Sequence, residues 1–213
     1  MPEFAALIQG YRRFRSGAYI QQKERFDRLA EEGQSPKLMV IACSDSRVDP
    51  SQVFDVDPGE IFVVRNVAAL VPPFETSPGL HGVSAALEFA VQFLEVRQIV
   101  VMGHSMCGGC KAALTRELHG ADPGEGGFVA DWIGLLDEVR APIACKHGID
   151  GRRAEREMEL AAVRVSIANL MTFPCVRTKV AKGTLKLRGA FFTISDGVLH
   201  VLDEQSGNFA PVE

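Results

Sequence analysis

Leu38-Met39-Val40-Ile41-Ala42-Cys43-Ser44-Asp45-Ser46-Arg47-Val48 is the stretch on which the reading of this chain turns. Its opening residues form a short apolar run, suited to a strand buried on both faces. A thiol, a carboxylate and a guanidinium then follow within five positions. A second run, Ile99-Val100-Val101-Met102, leads in the same way into Gly103-His104-Ser105-Met106-Cys107. Strands that are apolar throughout belong to parallel sheets covered on both sides, where ligands sit beyond the carboxyl ends at the point of reversed strand order. If these two strands are neighbours, Cys43 and His104 open onto one crevice.

Between them, Ile61 to Arg65 reads as another strand, entered through the turn Asp57-Pro58-Gly59. Ser77-Pro78 has the form of a helix start, and Val83, Leu87, Ala90, Val91 and Leu94 share one face of the helix that follows. Further helices are expected from Cys107 to Gly120, over 128–144, over 153–171 with Leu160, Val163, Ile167 and Leu170 inward, and over 175–182. Two alternating runs around Ser195-Asp196-Gly197 predict a terminal hairpin. Upstream, residues 4–31 read as helices broken at Ser16-Gly17. The pattern predicts an α/β fold: a mostly parallel central sheet of about four strands plus an antiparallel C-terminal strand, flanked by helices. Residues 1–32 are expected to form an N-terminal helical extension and residues 33–213 a single α/β domain.

The chain has 213 residues, 46% of them hydrophobic, and a net charge of −4. That balance, with scattered Lys and Arg, predicts no nucleic-acid partner. No apolar segment approaches the ~18 residues needed to span a bilayer, so no membrane association is predicted. The N-terminus lacks a signal-peptide layout, which predicts a cytoplasmic location. The odd count of five cysteines argues against a disulfide framework and for metal or catalytic use.

Cys43, His104 and Cys107 form Cys-x60-His-x2-Cys. Two soft thiolates and one imidazole suit tetrahedral zinc, and three protein ligands leave a fourth position for water. Cys107-Gly108-Gly109-Cys110 also reads as a redox pair, but Cys107 has the stronger claim as a ligand. Cys145 and Cys175 are expected in the core, His81, His119, His147 and His200 toward solvent, and Arg65 and Asn66 as fasteners of a strand end.

Cys43-Ser44-Asp45-Ser46-Arg47-Val48, Val64-Arg65-Asn66-Val67-Ala68 and Gly103-His104-Ser105-Met106-Cys107-Gly108-Gly109 together resemble the β-class carbonic anhydrases, over roughly residues 30 to 205. The resemblance implies Zn2+ held by Cys43, His104 and Cys107, and reversible hydration of carbon dioxide to bicarbonate and a proton. It implies that Asp45 either pairs with Arg47 and serves catalysis or swings onto the zinc and closes the site. It assigns Gln34 as a hydrogen-bond donor to substrate, Phe62, Val67 and Phe89 as the apolar pocket, and Gly108 as the place of close backbone approach. Part of that pocket comes from a neighbouring subunit in the family, which implies a homodimer, homotetramer or other higher oligomer, with the N-terminal helices as dimer clasps. Phe89 stands where plant-type members often have Tyr, Ala69 replaces a common Asn, and Cys110 follows Gly-Gly where an apolar residue is usual. Val40 and Ala42 occupy the places of the Trp and Gly found in members with an inhibitory bicarbonate pocket, which favours the plant-like subgroup. Two alternatives stand beside this reading: a related zinc hydrolase of carbon disulfide-like substrates, and a non-catalytic zinc or redox sensor.

Overall fold

The computed structural model describes residues 2–212. Its centre is a six-stranded sheet in the order β2-β1-β3-β4-β5-β6, with β1 at Leu38–Cys43, β2 at Ile61–Asn66, β3 at Gln98–His104, β4 at Lys186–Thr193, β5 at Val198–Leu202 and β6 at Phe209–Pro211. The first four strands are parallel and the last two antiparallel. The apolar runs thus form the parallel sheet that their composition predicts. The hairpin expected at the C-terminal end is β4 and β5, and β4 also pairs in parallel with β3 through Gln98↔Lys186 to His104↔Phe192. The short strand β6 was not expected, because three residues carry too little periodicity to register.

Strand order reverses between β1 and β3. From β1 the chain passes to β2 on one side, and β3 then pairs on the other. Ala42 pairs with Met102, so Cys43 and His104 leave the sheet side by side at its carboxyl edge. Met39, Ile41 and Cys43 face one side and Val40 and Ala42 the other, as the two-residue period of a strand requires.

Among the described residues, ten α-helices surround the sheet: α1 at Pro2–Ser16, α2 at Ala18–Gln21, α3 at Lys23–Glu32, α4 at Pro50–Val53, α5 at Gly82–Glu88, α6 at Gly108–Thr115, α7 at Gly127–Ile133, α8 at Asp137–His147, α9 at Arg152–Leu170 and α10 at Pro174–Ala181. Helix α9 lies tightest on the sheet. A Cβ on Gly103 would sit 2.7 Å from Val163 Cγ2, so only glycine permits that approach. The N-terminal helices α1 to α3 bury no residue. They are tied to the body by Gln22, which donates to Asp57 at 2.8 Å, and by the Arg25–Asp57 ion pair at 3.0 Å.

Several expected boundaries move. Ser77-Pro78 does not start a helix: the chain stays open through Gly79 (φ 155°), and α5 begins four residues later, at Gly82. Beyond Glu88 that helix widens into a π-type turn over Phe89–Phe93. The span 128–144 is two helices separated by a 3-10 turn at Gly134–Leu136. Helix α6 stops before Gly120 because Arg116 takes a left-handed conformation (φ 58°) and its N–H closes the last turn on the Ala112 carbonyl. Among the described residues, no single helix is long and apolar enough to cross a membrane.

Candidate metal centre

The carboxyl edge of β1 and β3 brings together what the sequence scatters. Cys43 Sγ, a nitrogen of His104 and Cys107 Sγ all lie within 4.8 Å of one another, and the two sulfurs are 4.0 Å apart. All three residues are buried, His104 to 1% exposure. The His104 Nδ1–H donates to the Ser105 carbonyl at 2.9 Å, which leaves the lone pair on Nε2. That Nε2 is buried and has no hydrogen-bond partner among the described residues. A buried nitrogen without a partner is costly, and here it faces two thiols.

This donor set fits zinc. With Zn–S near ~2.3 Å, two thiolates on a tetrahedral ion stand about 3.8 Å apart, close to the separation found. The hydrogen bond between Cys43 and Cys107, helped by burial, pushes the Cys43 thiol up to about 12. Its hydrogen bond with Cys110 pushes Cys107 up to about 12 as well. A divalent cation bound here would reverse the local balance by its charge, and the thiol protons would leave to solvent.

The scaffold around the donors is fastened from several sides. Arg65 donates to the carbonyls of Cys43 (2.9 Å) and Asp45 (2.6 Å) and to Asp49 Oδ2 (2.9 Å), pinning the loop after β1. The Asn66 side chain bonds both the N–H and the carbonyl of Leu70 at 2.8 Å, closing the loop after β2. Both residues are the fasteners the sequence predicts. Within that second loop Ala68 (φ 63°) and Ala69 (φ 55°) are left-handed, a strain of roughly 1–2 kcal/mol per residue. Neighbouring helices hold it in place. Ser166 donates to the Ala69 carbonyl at 3.1 Å, and Trp132 Nε1 donates to the Val67 carbonyl at 2.9 Å.

The same loop presses on the start of α6. A Cβ on Gly109 would lie 2.6 Å from Val67 Cγ1 and 3.2 Å from Ala68 Cβ. Gly109→Ala is therefore expected to cost about 1–3 kcal/mol and to loosen the Cys107 side of the site. The checks are a lowered melting temperature and faster zinc transfer to a chelator.

Asp45 and Arg47 form a bidentate pair. Arg47 Nε donates to Oδ1 at 2.9 Å, Nη2 to Oδ2 at 2.6 Å, and the Arg47 backbone N–H to Oδ1 at 3.0 Å. Nη2 also donates to the Met106 carbonyl at 3.0 Å, tying the two ligand loops together. The Arg47 guanidinium holds the Asp45 carboxyl well below the usual carboxylate range. Asp45 Oδ2 stands 3.9 Å from His104 Nε2.

The remaining sequence-assigned residues divide into two groups. Val67 packs against the Cys43–Cys107 cluster, and Gly108 opens α6 beside it. Phe62 pairs in register with Met39, whereas Cys43 pairs with Asn66, so Phe62 lies four residues, about 13 Å, down the strands from the thiol. Gln34 is exposed and precedes β1 altogether. Phe89 is 43% exposed, and its ring lies 5.9 Å from that of Phe62. Gln34, Phe62 and Phe89 therefore sit toward the amino end of the sheet, away from the metal donors of their own chain.

Glu159 was missed. It is 2% exposed, and Oε1 accepts the Cys107 N–H at 3.3 Å while Arg152 stands 3.5 Å away. Burial pushes its carboxyl up, against the pull of Arg152. The signal was available: Glu159 precedes Val163 by four residues and so falls on the inward face of α9. Cys145 is exposed rather than in the core, and Cys175 is half-buried. Helix α8 turns Val139 and Ile143 inward, and Cys145, two positions further on, faces out. His119 is exposed as expected. His200 is half-buried, edge-on to Phe191 at 6.4 Å, because β5 continues the sheet.

Comparison with known proteins agrees with this geometry. The profile of the family described as carbonic anhydrase matches residues 38–199. Beta carbonic anhydrase 6, mitochondrial, of Arabidopsis thaliana is 38% identical over 186 residues, covering 86% of this chain. The chain spans 62% of the length of that relative. The β-carbonic anhydrase CcaA superposes with a TM-score of 0.90 at 29% identity, over 100% of this chain and 93% of that one. A tetrameric β-carbonic anhydrase of Sordaria macrospora gives 0.81 at 30% identity, over 99% and 100%. The Coccomyxa enzyme, solved in complex with acetazolamide, gives 0.79 at 31% identity, over 97% and 86%. By profile, sequence identity and superposition alike, the chain belongs to the carbonic anhydrase family, in its β class.

Proposed function

We propose that this chain catalyses the reversible hydration of carbon dioxide to bicarbonate and a proton, with zinc held by Cys43, His104 and Cys107. The observation that carries the reading is the partnerless Nε2 of His104, buried beside two thiols 4.0 Å apart. When bound, zinc supplies the Lewis acidity that makes water a nucleophile near neutral pH.

The chain's own residues do the rest. Asp45, kept ionised by Arg47, accepts a hydrogen bond from the attacking water and orients its lone pair toward the substrate carbon. Arg47, anchored on the Met106 carbonyl, holds that carboxylate away from the metal position. This arrangement supports the plant-like subgroup. Val67 and Gly108 give the near wall of a small apolar pocket. Gln34, Phe62 and Phe89 complete it from a second copy of the chain, Gln34 donating to a substrate oxygen and the two rings excluding water. Stopped-flow hydration assays on zinc-loaded and chelator-stripped protein test the reading. Activity should follow zinc content, and no hydration by fully zinc-loaded protein would overturn it.

The self-association that this pocket needs also accounts for the N-terminal helices. Phe4, Leu7 and Tyr11 of α1 are 62%, 70% and 58% exposed within one chain. Residues 1–32 then act as the clasp on the catalytic body, residues 33–213, of a partner copy. Paired substitution Leu7→Glu and Tyr11→Glu should change the stability of the isolated chain by no more than about 0.5 kcal/mol. It should nevertheless give monomers by light scattering and lower activity, since each pocket loses its far wall. The proposed compartment is the cytoplasm, where a reducing milieu keeps the free cysteines reduced.

A further inference from the structure

Cys110 is a buried thiol that the proposed chemistry does not use. It is 3% exposed and lies outside the group of Cys43, His104 and Cys107. Yet it sits against one member of that group. Cys107 occupies the N-cap of α6 with extended backbone (φ −72°, ψ 118°), and Cys110 is the third residue of the helix. Side chains three apart at a helix start lie about 5–6 Å apart at Cβ. Cys107 and Cys110 are both buried and belong to one packed cluster. Disulfides need Cα atoms roughly 4.4–6.8 Å apart, a separation that this Cys-x-x-Cys spacing supplies without moving the backbone.

From this we infer that Cys107 and Cys110 form a reversible oxidative modification site, whose disulfide takes a ligand from the zinc centre and releases the ion. The inference rests on the zinc reading for its consequence, but the pairing of the two thiols stands by itself.

The oxidant is a peroxide, and hydrogen peroxide is small enough to enter a site that admits water. The Cys107 sulfur attacks one peroxide oxygen and the O–O bond breaks, leaving a sulfenic acid on Cys107 and one water. The Cys110 sulfur attacks the Cys107 sulfur, the S–S bond forms, and the sulfenic oxygen leaves as a second water. The two thiols lose two electrons and two protons, and the peroxide gains both. In zinc-loaded protein Cys107 starts as a thiolate, so one of the two protons comes from solvent, and zinc departs as the divalent ion. A dithiol reductant reverses the step by exchange through a mixed disulfide. Cys43 has no part in the covalent change, although its sulfur lies 4.0 Å from that of Cys107.

The test uses full-length protein whose zinc content is measured first. Hydrogen peroxide is added, zinc release is followed with a chromogenic chelator, and disulfides are mapped by peptide mass. Wild type should release its zinc together with a Cys107–Cys110 disulfide, and should rebind zinc after a dithiol and fresh zinc are supplied. Cys110→Ala and Cys110→Ser should hold zinc and hydrate carbon dioxide as wild type does. They should release zinc under peroxide about tenfold more slowly, and with no resolving thiol a second peroxide should take Cys107 on to the sulfinic acid, which dithiol does not restore. Equal release rates in wild type and both variants would overturn the proposal. So would a disulfide mapped to Cys43–Cys107, or oxidation confined to the exposed Met106 thioether. Protein that purifies folded but without zinc refutes the metal reading instead, and the mass map still reports on the thiol pair.

Discussion

Cys107→Ser is expected to lower carbon dioxide hydration by about three orders of magnitude or more, with loss of zinc to match. A serine hydroxyl does not ionise in the range where a thiolate does, so it offers the metal a weak neutral oxygen in place of a soft anion. The two remaining donors, Cys43 and His104, are too few to hold a catalytic zinc against a chelator. The loss extends to stability. Metal binding free energy is folding free energy when the site exists only in the folded chain, so the variant should melt below the wild type and no longer respond to added zinc. Metal analysis and melting curves with and without zinc check the result. A variant that binds zinc one-to-one and keeps its activity would remove Cys107 from the ligand set.

Arg47→Ala is expected to keep zinc yet lose about a hundredfold in hydration rate, in the range typical of a displaced general base. Two side-chain hydrogen bonds to Asp45 and one to the Met106 carbonyl disappear together. The backbone N–H bond to Oδ1 remains open to the variant, but the clamp on Oδ2 is lost. A carboxylate released 3.9 Å from His104 Nε2 becomes a competitor for the metal position. The pH dependence has a definite sign. Arg47 depresses the Asp45 carboxyl in the folded chain, so the pair stabilises the fold above the unfolded value near ~3.9 and that contribution fades as pH falls below it. Urea midpoints of zinc-free wild type and Arg47→Ala should therefore differ at pH 7 and converge progressively below about pH 4. A gap that stays constant into acid would assign the loss to packing of the Arg47 stem instead.

Much of this architecture is local and therefore legible. The runs Leu38–Cys43 and Ile99–Met102 declare buried parallel strands by composition, and the reversal between them follows once they are neighbours. The thiol and imidazole at their ends declare a metal by residue type. What escaped was set by contacts distant in sequence or by small backbone changes. Glu159 reaches the Cys107 N–H from 52 residues away. The break at Gly134, the widened turn at Phe89–Phe93 and the late start of α5 each turn on a few backbone angles. The placement of Gln34 and Phe62 shows a third kind of limit. Motif matching lists them beside the donors, whereas the strand register puts them at the opposite end of the sheet, which is why the pocket proposed above draws them from a second copy.

Trp132 gives the molecule something useful to an experimenter. It is the single tryptophan of the chain, and its indole is hydrogen-bonded to the Val67 carbonyl in the strained loop that leans on the start of α6. It also borders a groove with Leu80 and Phe128, an open apolar surface of one chain. Excited selectively over the two tyrosines, its fluorescence is thus a one-site signal. Ion loading, thiol oxidation and subunit exchange should each be readable in real time without a dye.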